Sequence, residues 1–246
     1  MKKFVDDRFC DDINRSSYKH LHGSLILNTL EYLWLHVDTK TANYNMFNDN
    51  LEGEHKSWYS NGQLWMQYTC VNNKIEGKYK SWHSNGQLMS QRTYADGKLE
   101  GEYKSWHSNG QLWTQYTYIN DKIEGEHKSW HNNGQLCMQS TYVNEKIHGE
   151  YKTWQSNGQL NEQYAFVNGK REGEYKSWHR NGQLSSQRTY INDKIEGECK
   201  AWHANGQLGV QCFYVNGMRE GEYKGWDNDG QVDDQCFYVN GVKQCL

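Results

Sequence analysis

A 24-residue period runs through most of this chain and limits what it can fold into. Successive units, whose places we number 1 to 24, follow one another without insertion or deletion. Gly stands at places 3 and 12 of every unit, Lys at place 6, Trp at place 8 and Gln at place 13. Self-similarity of this kind is typical of repeat proteins whose units stack on their neighbours. The eight units begin at Leu51, Ile75, Leu99, Ile123, Ile147, Arg171, Ile195 and Arg219.

Two turn signals divide each unit into two short segments. The first is Asn-Gly at places 11 and 12, as in Asn109-Gly110, and the second is a pair such as Asn168-Gly169 at places 22 and 23. Asn and Gly tolerate the positive φ that tight hairpin turns require. The segments between the turns are rich in aromatic residues and Thr and are too short for ordinary helices. We therefore predict an all-β fold, an elongated and twisted single antiparallel sheet (a β-meander) of 24-residue β-hairpins, with about sixteen strands in the eight units.

Places 8 and 12 supply the candidate site residues. We expect the Trp residues to form an aromatic ladder that serves structure or binding, and the Gly residues to form the first turn. A three-residue loop would set Trp106 opposite Leu112, whereas a two-residue loop would set it opposite Trp113. The first alternative is favoured because place 14 is always Leu or Val. The ladder residues are Trp58, Trp82, Trp106, Trp130, Trp154, Trp178, Trp202 and Trp226, and the turn glycines are Gly62, Gly86, Gly110, Gly134, Gly158, Gly182, Gly206 and Gly230.

The rest of the chain departs from the period. Residues 27–50 are interpreted as a degenerate capping repeat, which would set Trp34 at the Trp place, Tyr44 at place 18 and Asn48-Asp49 at the second turn. This divides the chain into an irregular lead at 1–26, the capping repeat at 27–50, eight repeats at 51–242 and a tail at 243–246.

Composition excludes several classes of protein. A mean hydropathy of −1.08 would favour disorder, but 11 Trp and 18 Tyr supply surface that a fold can bury. A formal net charge of −3 argues against nucleic-acid binding. No apolar run approaches the ~20 residues of a transmembrane helix, and the residues after Met1 do not resemble a secretory signal. We expect a soluble, cytoplasmic protein.

The seven cysteines are odd in number and show no CxxC spacing. Cys212 and Cys236 occupy the same place in successive units, so two strand spacings of together about 9–10 Å would separate them. That is too far for a disulfide. We expect reduced thiols.

Nothing in the repeat predicts catalysis. The recurring place-9 histidines would lie ~10 Å apart from copy to copy, too far to share a metal ion. Acidic residues recur identically in each unit, whereas an active site needs one asymmetric group of residues. We therefore predict no catalytic residues, no metal site and no cofactor. The place-9 histidines are His83, His107, His131, His179 and His203.

The segment EGEYKSWHSNGQL, from Glu100 to Leu112, resembles the MORN-repeat variant of YwqK-type antitoxin-component proteins. The resemblance covers residues 51–242. Uninterrupted arrays of this composition also resemble those of large amoeba-infecting DNA viruses, in which case the protein would lie in the host cytoplasm. The resemblance implies an elongated sheet used for protein or lipid contact, without catalytic residues.

These observations favour a non-enzymatic scaffold that mediates protein–protein interaction, with another protein as its partner. Two alternatives remain open, a peripheral module that binds phospholipid head groups and an antitoxin-like component of a toxin–antitoxin pair. Because places 15, 16 and 18 vary most from unit to unit, we expect specificity to lie there.

Overall fold

A computed structural model describes residues 25–28 and 32–244, and every regular element within these ranges is a β-strand. Three strands precede the repeats: β1 (Leu25–Asn28), β2 (Tyr32–Asp38) and β3 (Ala42–Phe47). The first strands of the eight units are β4 (Asn50–Trp58), β6 (Lys74–Trp82), β8 (Lys98–Leu99) with β9 (Gly101–Trp106), β11 (Lys122–Trp130), β13 (Lys146–Ile147) with β14 (Gly149–Trp154), β16 (Lys170–Trp178), β18 (Lys194–Trp202), and β20 (Met218–Arg219) with β21 (Gly221–Trp226). The second strands are β5 (Leu64–Val71), β7 (Leu88–Ala95), β10 (Leu112–Ile119), β12 (Leu136–Val143), β15 (Leu160–Val167), β17 (Leu184–Ile191), β19 (Leu208–Val215) and β22 (Val232–Val239), and β23 (Val242–Gln244) follows them.

With the two parts of an interrupted strand taken together, each strand pairs antiparallel with the next along the chain, so the strands form one open sheet in meander order. Three first strands are interrupted at place 2, yet the backbone still pairs there, as in the 2.9 Å bond from Glu100 N to Thr93 O. Counting each interrupted strand once, the eight units supply the sixteen strands expected from the sequence. The prediction of an all-β meander of 24-residue hairpins is confirmed.

The first turn of each unit is a three-residue loop. In the third unit, His107 N donates to Gln111 O over 2.8 Å, and Gly110 N donates to His107 O over 2.9 Å. Trp106 lies opposite Leu112, and Trp113 is the extra residue of a β-bulge. Of the two alternatives for this hairpin, the three-residue loop is therefore correct. The eight place-12 glycines have φ between +81° and +88°, a region that favours Gly.

The second turn is a two-residue turn with positive φ at both places, for example 50° at Asn120 and 65° at Asp121. This is the geometry expected of a type I′ hairpin turn. A carboxylate closes it, because Glu100 at place 2 accepts a 2.8 Å bond from Asn120 N. The fifth unit carries His148 at that place, with a longer bond of 3.5 Å from Asn168 N.

The glycine at place 3 lies in a second β-bulge, in addition to the bulge at place 15. Gln115 lies opposite Lys128 and Thr117 opposite Glu124, so three residues of β11 face a single residue of β10. Gly125 lies in this bulge with φ +79°. A residue with a side chain would be strained there, which explains why the place is Gly in all eight units.

The segment before the repeats follows the repeat pattern only in its second half. Asn48 and Asp49 have φ of 48° and 63°, as second-turn residues do, and the Tyr44 ring stacks on His55 at 5.8 Å. The expected position of Trp34 is wrong, because it lies opposite Phe47 instead of a residue beyond a first turn. The reason is that β2 continues through that turn, where no Asn-Gly pair stops it, and the chain reverses at residues 39–41.

The assignment of residues 27–50 as a capping repeat stays a prediction. The irregular lead expected at residues 1–26 falls almost wholly outside the described residues, as do residues 245–246 of the tail.

One face of the sheet is more buried than the other. In the eight units, the least exposed side chains belong to places 5, 7, 16, 18 and 20, which alternate onto a common face. We call it the ring face, because Tyr and His supply much of it. The opposite face carries places 4, 6, 17 and 19, and we call it the polar face. The buried residues of the ring face are His55, Cys70, Tyr79, Ser81, Ser90, Ser105, Ser140, Tyr175, Tyr190, Cys212 and Cys236.

Candidate functional site

The first-turn edge of the sheet is a ladder of hydrogen bonds between successive repeats. His83 Nε2 lies 2.9 Å from the carbonyl oxygen of Trp106, one repeat further on. Because a carbonyl only accepts, this histidine carries its proton on Nε2. His107, His131, His179 and His203 repeat the contact at 2.6–3.1 Å, and Tyr59 does so through its hydroxyl. These histidines, which the strand spacing sets too far apart to share a metal ion, thus join one repeat to the next.

Asparagine at place 11 has a different role from the one its Asn-Gly pair suggests. Of the first-turn residues, only Gly has positive φ. Asn85 instead accepts a 3.1 Å bond from Gln87 N and donates a 2.7 Å bond to Ser108 O of the next repeat. The same forward bond occurs at all seven junctions between the eight units, from Asn61, Asn85, Asn109, Asn133, Asn157, Asn181 and Asn205.

The last repeat ends this ladder with acidic residues. Asp227 stands at the histidine place and Asp229 at the asparagine place. Asp227 Oδ1 accepts bonds of 2.9 Å from Asp229 N and 2.8 Å from Gln231 N, so it caps its own loop.

Stacked aromatic rings lie on the ring face, in separate groups along the array, rather than between the Trp residues of place 8. Rings of His55, Tyr68 and Tyr79 stack at 5.1 and 5.6 Å, and Tyr103 stacks on Tyr116 at 4.7 Å. Offset stacks of this kind contribute about 0.5–1.5 kcal/mol per pair beyond the area they bury. Similar contacts join Tyr151, Tyr164, Phe166, Tyr175 and Tyr190.

Burial shifts the titration of this face. Desolvation raises the pKa of Tyr164 to about 12 and lowers the pKa of His55 and His127. Both histidines are therefore held neutral within the ring stack.

Arginine takes the aromatic place in two repeats. The guanidinium of Arg92 lies 4.1 Å from the centre of the Tyr79 ring, and that of Arg188 lies 4.3 Å from the Tyr175 ring. Both belong to place 18, so a cation–π contact replaces the ring–ring contact that Tyr makes at this place in the first, third and fifth units.

Places 16 and 18 vary because they pack against places 7 and 5 of the neighbouring strands. Ser90 and Cys212 are both 5% exposed. The expectation that these two places determine specificity does not fit their burial. Place 15 differs, since Trp113 is 54% exposed beside the turn.

The eight Trp residues of place 8 are all half-buried. By alternation they lie on the polar face, each opposite Leu or Val of its own hairpin. Among ring contacts of the described residues, none joins the Trp of one repeat to that of the next. Whether these residues bind a partner stays a prediction.

Most of the polar face consists of ion pairs along single strands. Glu102 and Lys104 are 2.8 Å apart, and Gln115 donates to Glu102 over 2.6 Å. The equivalent Lys–Glu pair recurs in five further units at 2.7–2.8 Å. Since the charges are matched locally, this part of the face offers no field of a single sign.

The last two repeats change this face. Phe213 and Phe237 stand at place 19 where the other units carry Thr or Ala, and Met218 and Val242 stand at place 24 where the others carry Lys. With Val215 and Val239 at place 21 they form what we call the C-terminal apolar patch. Its six side chains are 38–63% exposed. A groove of ≈ 490 Å³, lined partly by Glu196, Glu198 and Phe213, adjoins the patch.

A comparison of the units in the sequence shows the apolar replacements at places 19 and 24 of the last two repeats. Their exposure could not be predicted in this way, because it depends on which face of the sheet each place occupies. Hydrophobic residues are ordinary in strands, so pattern alone did not distinguish Phe213 from a core residue.

Within residues 25–28 and 32–244, no three His, Cys, Asp or Glu side chains lie close enough together to hold a metal ion. In the same ranges, no helix has the length and apolar character needed to cross a membrane.

A comparison with curated protein sequences finds no match. The family model described as MORN repeat variant matches residues 51–72, 75–96, 99–120, 123–144, 147–168, 171–192, 195–216 and 219–240. These boundaries reproduce the 24-residue units and cover well over half of the chain. The chain therefore belongs to the MORN repeat variant family.

Proposed function

We propose that this protein is a non-enzymatic scaffold that binds another protein through the C-terminal apolar patch. MORN repeats are typical of scaffolds for protein or membrane contact and are generally non-catalytic. The observation that carries the proposal is the departure of the last two repeats from the other six. Exposed Phe and Met replace Thr and Lys there, on a face that is otherwise polar. Exposed apolar clusters of this kind mark interaction surfaces in folded proteins.

The patch has enough apolar surface to contribute to binding. Fully burying a Val, Phe or Met side chain stabilises by about 1.5–3 kcal/mol. Since the six side chains are already half-covered, covering the rest would contribute roughly 1 kcal/mol each, or about 6 kcal/mol in total. Association costs a comparable amount, so the patch would act as the centre of a larger contact.

The net charge of the last repeat indicates the chemistry of the partner. Residues 219–242 contain two cationic and six anionic side chains, Arg219 and Lys224 against Glu220, Glu222, Asp227, Asp229, Asp233 and Asp234. The adjoining groove does not add to this imbalance, because Arg188 and Lys200 line it together with Glu196 and Glu198. A protein surface with apolar side chains inside a Lys- or Arg-rich rim would match both properties. An anionic phospholipid surface would be repelled.

The test replaces the patch with the residues that the other repeats carry. The variant combines Phe213→Thr, Met218→Lys, Phe237→Thr and Val242→Lys. Ile119→Thr in the third repeat is the matched control, because Ile119 is 47% exposed in a repeat that carries Thr117 and Lys122 at places 19 and 24. Proteins captured from the native cell are quantified by mass spectrometry, and each candidate is then purified and its Kd measured.

We expect one partner whose binding is lost with the patch variant and kept with the control. Equal binding of every captured protein to both variants would refute the proposal. Sedimentation with phosphatidylcholine vesicles that depends on added phosphoinositide would favour the membrane function instead.

The finer implications of the family resemblance stay predictions. An antitoxin-like role would be supported if co-expression relieved the toxicity of a neighbouring gene product. A cytoplasmic location would be supported by fractionation of the native cell, and a viral origin by the genomic context of the gene.

A further inference from the structure

Two cysteines meet in the seventh repeat. Cys199 stands at place 5, where the other units carry Tyr or His, and Cys212 stands at place 18. The two residues lie directly opposite each other on β18 and β19, in register. Both are free thiols. No other repeat has Cys at both places, so this pair is separate from the pattern that the family requires.

The backbone brings the two thiols within bridging distance. Residues directly opposite in an antiparallel pair have Cα atoms about 4.5–5.5 Å apart and project side chains to the same face. Disulfides need Cα separations of about 4.4–6.8 Å. A bridge can therefore form without moving either strand. Cys236 cannot compete for Cys212, because Tyr223 lies opposite Cys236 and occupies the strand between the two cysteines.

We propose that Cys199 and Cys212 form an oxidisable dithiol, which a small-molecule disulfide of the glutathione type converts into an intramolecular disulfide.

The two thiols differ in reactivity. The pKa of Cys199 is lowered to about 7, chiefly by a hydrogen bond from the Cys212 thiol. Desolvation raises this pKa, and the positive charges of Arg188 and Arg219 lower it. The same bond and burial raise the pKa of Cys212. Cys199 is also half-buried, whereas Cys212 is 5% exposed. Because thiolate is the nucleophile, Cys199 attacks first and Cys212 resolves.

The reaction proceeds in two exchange steps. The Cys199 thiolate attacks one sulfur of the small disulfide, its S–S bond breaks, and one equivalent leaves as thiolate and takes up a proton. Cys212 then loses its proton, attacks the Cys199 sulfur of the mixed disulfide and expels the second equivalent of small thiol. Overall, two protein thiols are oxidised by two electrons and one small disulfide is reduced to two thiols.

The test treats the full chain with oxidised glutathione and follows intact mass and peptide maps. We expect the loss of two hydrogens, a Cys199–Cys212 cross-linked peptide, and protection of both residues from alkylation. Cys212→Ser introduces the residue that the fourth repeat carries at this place, Ser140, and should stop at a stable glutathione adduct on Cys199. Cys199→Tyr introduces the residue most common at place 5 and should slow the modification of Cys212 at least tenfold. Cys236→Ser should change nothing.

Failure of the wild-type chain to lose two hydrogens would overturn the proposal. So would a cross-link involving another cysteine at an equal rate, or adduct formation on Cys212 as fast as on Cys199. Circular dichroism of each variant at the start of the reaction separates altered chemistry from a failure to fold.

Discussion

The glycine at place 12 is predicted to serve two purposes that mutation can separate. At Gly86, φ is +84°, and a β-carbon there would lie 2.8 Å from Oε1 of Gln63 in the preceding repeat. Gly101, at place 3, serves as the comparison. Its φ is +81°, but no atom lies within 4 Å of a β-carbon built there. Ala with left-handed φ costs about 1–2 kcal/mol at either position. Displacing the Gln63 side chain from its rotamer adds about 0.5–1.5 kcal/mol at Gly86 alone.

We therefore expect Gly86→Ala to destabilise by about 2–3 kcal/mol and Gly101→Ala by about 1–2 kcal/mol. In a Gln63→Ala background the cost of Gly86→Ala should fall to that of Gly101→Ala. Urea unfolding followed by Trp fluorescence gives the free energies, and hydrogen exchange of each repeat shows where the array opens, since long arrays need not unfold in one step. An unchanged cost of Gly86→Ala in the Gln63→Ala background would refute the packing of Gln63 over this glycine.

Three further predictions concern pH and the second turn. Burial lowers the pKa of His55 and His127, so their contribution to stability is complete above the unfolded pKa of about 6.5 and is lost as the pH falls below it. Replacing both histidines with Tyr should therefore make the thermal unfolding temperature less sensitive to acid. The phenol of Tyr164, whose pKa is raised to about 12, should ionise later than an exposed tyrosine in a spectrophotometric titration. Tyr164→Phe should lower the late component by one tyrosine, because other buried tyrosines such as Tyr116 also have a raised pKa. Glu124→Ala removes the 2.9 Å bond to Asn144 N and should destabilise by about 1 kcal/mol in urea unfolding, with Glu124→Gln losing less.

Much of the fold could be predicted because each hairpin is specified locally. The Asn-Gly turn at Asn109-Gly110, the aromatic-rich segments and the period itself are all short-range signals. Repetition strengthened the prediction, since an assignment valid for one unit holds for eight. The segment at residues 27–50 was harder to predict because it has one copy and no Asn-Gly pair, and there β2 runs through the expected turn.

The contacts between repeats were less accessible from sequence. His107 and Asn109 were correctly placed beside the first turn, but their partners are carbonyl groups of the next repeat, and every residue has a carbonyl. Likewise, alternation placed Trp106 and Tyr103 on opposite faces without showing which face would be buried. The opposition of Cys199 and Cys212 depends on the bulge at place 15, which shifts the hairpin register by one residue.

The ladder of hydrogen bonds along the first-turn edge gives the array a direction. Each His and Asn side chain donates towards the C-terminal neighbour, while each repeat offers its carbonyls towards the N-terminal one. Repeats with His and Asn at these places are thus interchangeable in position, but the unit containing Asp227 and Asp229 is not, because its acceptors close on their own loop. Moved to the middle of the chain, that unit would leave two carbonyls of its successor without these side-chain donors, and only the backbone ladder would join the two repeats.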